Sequence, residues 1–241
     1  MRTGNPTLRN NAFSQVAPLA SGEVMTIQGT VNKTFILLLL VLFTASLTWR
    51  NPASMMPLIG IGAIGGLIVA LVTIFKKEWA PVTAPIYALL EGLVLGGISA
   101  LFEKQYPGIV IQAVGLTFGT LAALLMAYKS RIIQATENFK LGIFAATGGI
   151  FLLYMVSWIM SFFGTSIPFI HESGLLGIGF SLVVVVIAAL NLVLDFDFIE
   201  KGAEQGAPKY LEWYGAFGLM VTLIWLYLEI LRLLSKLRSR N

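Results

Sequence analysis

Cysteine is absent from the 241 residues, and histidine occurs once, at His171. The first absence removes disulfides, thiolate nucleophiles and Cys-based metal centres together. The second leaves too few imidazoles for a His-built zinc site. Charge is scarce as well: Asp, Glu, Lys and Arg make up 12% of the chain, against 57% apolar residues. A soluble domain carries roughly 25% charged residues, and the mean hydropathy here is +0.84. A soluble globular domain is therefore excluded. The net charge of +4 is modest, and the cations sit in loops, where they read as topology signals and lipid-headgroup contacts. No nucleic-acid partner is expected.

What remains is a set of long apolar runs. Seven of them, near residues 34–49, 56–75, 86–102, 109–128, 141–163, 174–194 and 213–234, approach the roughly 20 residues a bilayer crossing needs. An all-α bundle of seven transmembrane helices (residues 34–235) follows, with a polar N-terminal arm (1–33) and a basic tail (236–241). The arm has no apolar run before a small-residue cleavage site, so it is not a signal peptide. Gly60, Gly62, Gly65 and Gly66 leave a flat face on the second span, and Gly115 and Gly119 repeat the small-xxx-small spacing on the fourth. Both read as close-packing devices. Gly148, Gly149, Tyr154 and Trp158 in the fifth span read as packing and interface residues. His171, in the loop 164–173, reads as solvated.

Orientation follows from the basic residues. With the N-terminus inside, the arm and the connectors on its side hold Arg2, Arg9, Lys33, Lys76, Lys77, Lys129, Arg131, Lys140, Lys201 and Lys209. The other side has Arg50 and Lys104 before the tail. The positive-inside rule favours a cytoplasmic N-terminus, although seven crossings would put Arg232, Lys236, Arg238 and Arg240 outside.

Three acids interrupt the apolar runs: Glu91 in IYALLEGLVL, Asp195 at the end of the sixth span and Glu229 in LYLEILRLL. A carboxylate is expensive in lipid and usually faces a bundle interior, marking a pathway or relay. Asn191 and Asp195, spaced i, i+4, share a helix face, so the amide is placed to bond the carboxylate. Carboxylates meeting across the last hairpin would share a proton and titrate as a unit. Deprotonated, they would offer hard oxygens to Ca2+. Asp197, Glu200, Glu204 and Glu212, in or near the polar connector with Lys201 and Lys209, read as static polar contacts. An intramembrane aspartyl protease needs two facing Asp residues; Glu229 is not Asp, and no Gly-rich approach loop follows it. No catalytic residue and no resident cofactor is expected.

At these residues the chain resembles the Bax inhibitor-1 (transmembrane Bax inhibitor motif) family, in a bacterial branch. The marks are MTIQGTVNKTFILLLL at 25–40, Leu90-Glu91-Gly92-Leu93, Asp195 closing the sixth span, and LEWYGAFGLMVTLIWLYLEILRLL at 211–234. The resemblance implies six helices in two layers around a central seventh. It also implies a pH-sensitive Ca2+ leak in the bacterial inner membrane, with Asp195 and Glu229 at the positions of its paired acids. Glu229 stands where the family usually has Asp, and the stretch 196–228 is longer than the usual spacing. A few extra turns, at 1.5 Å per residue, would carry Glu229 away from Asp195 and leave Glu91 as the alternative partner.

The sequence thus points to a channel whose transported ion is Ca2+ under proton control. Asp195 and Glu229 are its latch, and Glu91, Asn191 and Asp197 are cavity-lining or gating residues. The alternative is a non-conducting adaptor that uses the arm and tail to modulate other membrane proteins or a quality-control protease. A proton-coupled transporter stands third.

Overall fold

The computed structural model describes residues 24–164 and 174–240. His171 and the first 23 residues of the arm lie outside the described residues. Within them the chain forms α1 (Ile27–Trp49), α2 (Met56–Phe75), a 3-10 turn (Lys77–Trp79), α3 (Ala80–Gln105) and α4 (Ile109–Lys129). The remaining helices are α5 (Glu137–Phe162), α6 (Leu175–Glu204) and α7 (Leu211–Arg240). All seven are long and apolar enough to cross a membrane. Their outward faces are greasy, as at Phe144, which is 76% exposed. In lipid that exposure costs nothing, because the solvent is as apolar as the side chain.

Helix ends follow local chemistry. Thr26 caps α1, its hydroxyl accepting from Gly29 N at 2.9 Å. Pro57 and Pro81 sit in the first turns of α2 and α3, where a missing N–H is not needed. Glu103 reaches across the α3–α4 turn and accepts from Gly108 N and Val110 N at 2.6 and 3.1 Å, meeting donors that α4 cannot satisfy itself.

Several boundaries differ from expectation. α1 begins at Ile27 and α5 at Glu137, because Thr26 and Thr136 cap earlier turns. Asp195 does not close its helix: α6 continues to Glu204. Phe196 and Ile199 are buried there, so tertiary packing carries the helix past the acidic stretch. Nor does the tail leave the fold: α7 extends to Arg240, and Lys236 is buried.

α7 organises the packing. Of its most apolar stretch 56% is buried, against 11% for α5. It packs against α1, α3, α4 and α6. One face joins Leu219, Leu223, Leu226 and Leu231 to Ile109 and Ala113 of α4 and Ala188 and Leu192 of α6. The other joins Ala216, Phe217, Met220 and Ile224 to Leu37 and Val41 of α1 and Tyr87 and Ala88 of α3. A strand of charge fixes its start. Glu212, 1% exposed, is ion-paired with Lys33 and accepts from Thr26 N and Thr26 Oγ1, both at 2.9 Å. Glu212 is thus a static polar contact, made with Lys33 and Thr26 of the α1 end rather than with the connector lysines.

α1 and α3 approach closely at Gly92 and Gly96. A Cβ at Gly92 would lie 2.0 Å from Thr44 Oγ1, and one at Gly96 would lie 2.2 Å from Ala45 O. Thr48 Oγ1 donates across this seam to Leu93 O at 2.9 Å. Gly62, Gly65 and Gly66 of α2 similarly meet α3, whereas Gly60 faces open space. Gly115 and Gly119 do not pack against the described residues; none of these lies within 4 Å of an added Cβ at either. Gly92→Ala should therefore cost about 1–3 kcal/mol by overpacking, while Gly115→Ala should leave stability unchanged or slightly raised. Thermal unfolding in detergent, followed by circular dichroism, separates the two.

Candidate functional site

The intramembrane acids occupy three separate environments. Asp195 of α6 faces α7 at the level of Gly218 and Thr222. Its Oδ1 lies 3.7 Å from where a Gly218 Cβ would stand, and the Thr222 hydroxyl interacts with its carboxyl. Its Oδ2 is buried and has no hydrogen-bond partner, alone among the buried side-chain polar atoms of the described residues. Asn191 does not supply one. Its Nδ2 turns to α5 and donates to Thr147 Oγ1 and to Ile187 O, both at 2.9 Å. The expected Asn191–Asp195 bond is absent because a cross-helix hydroxyl competes for the amide.

Glu229 is placed elsewhere. It is 2% exposed and is held by Arg232 Nη1 at 2.8 Å, three residues further along α7. The Tyr154 hydroxyl of α5 donates to it at 3.1 and 3.2 Å. Arg232 Nη1 also donates to the Tyr154 oxygen at 2.7 Å, and its guanidinium lies 5.1 Å from the Tyr154 ring centre. One turn on, Lys236 Nζ donates to Gly177 O at 3.0 Å and Ser181 Oγ at 2.9 Å, fastening α7 to α6. From Thr222, beside Asp195, to Glu229 the helix rises about 10 Å. As packed here, Asp195 and Glu229 do not meet.

Glu91, half-buried on α3, faces α2, where a Cβ at Gly66 would stand 3.0 Å from its Oε1. No hydrogen bond or ion pair joins it to Asp195 or Glu229. Asp197 lies about two turns from the end of α6 and is shared by Lys140 and Lys201, each at 2.9 Å. It lines an open pocket of about 700 Å3 between α5 and α6, with Phe144, Phe198 and Leu211 on its apolar wall. Among the described residues no three acids or histidines gather into a cation cage.

The pattern described as Bax inhibitor 1 like matches residues 5–239 of this sequence. The chain belongs to that family. Among curated proteins none matches it. A Bax inhibitor family member is an integral membrane protein, and the seven apolar helices here agree. In this member the sequence alone marks Glu229, whereas Tyr154 reads there as packing and Arg232 as part of the tail. The stripe Glu229, Arg232, Lys236 at i, i+3, i+7 was a legible signal of one charged helix face. Tyr154 had no such signal, because only the tertiary fold brings α5 to α7.

Arg232→Ala removes the cation beside buried Glu229 and should cost about 1–3 kcal/mol, less than a fully buried pair because Arg232 is 41% exposed and Tyr154 still donates to the carboxylate. In a Glu229→Gln background the same substitution should cost far less, because the two residues act as one unit. A double-mutant cycle on thermal unfolding in detergent measures the difference.

Proposed function

We propose that this family member is a cation leak of the bacterial inner membrane, its N-terminus cytoplasmic, passing Ca2+ under proton control. The observation that supports this reading is the unpartnered Oδ2 of Asp195 between α6 and α7. A neutral carboxyl is tolerable there. An ionised one would have no counter-charge, and an uncompensated buried charge costs several kcal/mol. Loss of the proton therefore works against the α6–α7 contact at Gly218 and Thr222 and favours a packing that opens it. In that second packing the Asp195 oxygens become available to a hard cation.

Glu229 acts differently in this scheme. Arg232 and Tyr154 answer its charge in place, so it pins α7 to α5 while the Asp195 contact changes. Glu91 is the next acid in line should a cation enter between α2 and α3. Two tail cations turn inward: Lys236 bonds α6, and Arg238 donates to Pro107 O at 2.7 Å. Arg232 is likewise spent on Glu229. Their place opposite Lys33 therefore weighs little against a cytoplasmic N-terminus. The same contacts weaken the adaptor reading, which needs a tail free to reach a partner.

Ca2+ flux into liposomes holding the purified protein, from mildly acidic to mildly alkaline pH, tests the proposal. Wild type should conduct with a pH-dependent rate, Asp195→Asn should flatten that dependence, and Glu229→Gln should preserve it. Absence of flux above empty liposomes at every pH would turn the assignment toward the adaptor.

A further inference from the structure

Between α1 and α4 a lateral groove runs over α7. It comprises two cavities that share Leu38. One, of about 560 Å3, extends from Ile27 of α1 and Lys129 of α4 to Leu38, with Leu219 in its floor. The other, of about 280 Å3, extends from Leu38 to Trp49, with Val114 in its wall and Leu223 in its floor. Leu38 lies midway along α1. Each half spans eleven residues of α1, a rise of about 16 Å, or one leaflet of a hydrocarbon core about 30 Å thick.

The lining makes no polar demand. Ser46, Thr117, Thr30 and Thr34 donate to carbonyls of their own helices at 2.7, 2.8, 3.1 and 3.0 Å. Ser99 and Tyr227 bond each other at 2.6 Å, and Tyr128 is bonded to Glu200. With these protons committed and the rest of the lining mostly apolar, the groove offers water or a cation only scattered acceptor oxygens. Among the lining residues charge occurs at one end of the groove, at Lys129 and Glu200. The walls turn outward into exposed apolar residues such as Phe35 and Phe118, so the opening faces lipid.

We propose that the groove is a resident lipid site in which each half holds one acyl chain from its own leaflet, the chain ends meeting at Leu38. Contact with α1, α4 and α7 on three sides gives such a chain more dispersion partners than fluid lipid does. It should therefore outlast the surrounding annulus when detergent is exchanged. The groove is also separate from the acids: Asp195, Glu229 and Glu91 are not among its lining residues.

Native mass spectrometry of the full chain after extensive detergent exchange counts the retained phospholipids. Wild type should keep one per half. Val114→Trp should lose the lipid of the smaller half and Val31→Trp that of the larger, with the remaining lipid kept. A wild type that retains none, or variants that retain as many as wild type, would overturn the proposal. So would a dimer dispersed by the same substitutions, because a helix of a second copy would then be the occupant. Should either variant fail to fold, fluorescence quenching of wild type by acyl-brominated phospholipid decides. Quenching of Trp49, taken as the difference from Trp49→Phe, should persist after exchange into unbrominated detergent; complete recovery would exclude a resident chain.

Discussion

A charge inside the bilayer must be answered from within the protein, because lipid offers neither water nor counter-ions. In this bundle the requirement falls mostly on α7. Near its start Glu212 is met by Lys33 and Thr26 of the α1 end; further along Glu229 is met by Arg232 and Tyr154. Lys236 is met by carbonyl and hydroxyl oxygens of α6. These bonds hold α7 in register with α1, α5 and α6. The apolar faces then fill the two cores on either side. Hydrophobicity alone would not choose that register, since lipid is as apolar as leucine.

Asp195 departs from this rule, and the departure gains meaning from its surroundings. Nearby donors are already engaged: Asn191 has gone to Thr147, and Thr222 Oγ1 also donates to Gly218 O at 3.2 Å. The α1–α4 groove shows the opposite design, with its hydroxyls paired and its interior apolar. One molecule thus holds a polar site that is under-supplied and an apolar site that is fully settled.

The seven spans were legible because a run of apolar residues is a local property. So was the suspicion attached to Glu91, Asp195 and Glu229, since an acid in such a run is conspicuous one residue at a time. Partnership was not legible. The continuation of α6 past Asp195 depends on the burial of Phe196 and Ile199 against other helices, which outweighs the polarity of the local sequence. The role of Glu212 depends on Lys33, and that of Tyr154 on α7. The glycines divided in the same way: Gly92 and Gly96 meet a neighbour, whereas Gly115 and Gly119 share the spacing and meet none of the described residues. Small-residue spacing permits close approach but does not say which helix arrives.

The late position of α7 in the chain has a consequence for biogenesis. Lys33 is made early, and the carboxylate that neutralises it lies 179 residues downstream. At a synthesis rate of about 5–20 residues per second, the first helices wait many seconds in the bilayer with their α7-facing surfaces uncovered. Until then the nascent chain exposes the faces of α1, α3, α4 and α6 that α7 later covers. Assembly closes only when the final segment leaves the ribosome and inserts, so a chain truncated anywhere before α7 is left as an unfinished bundle.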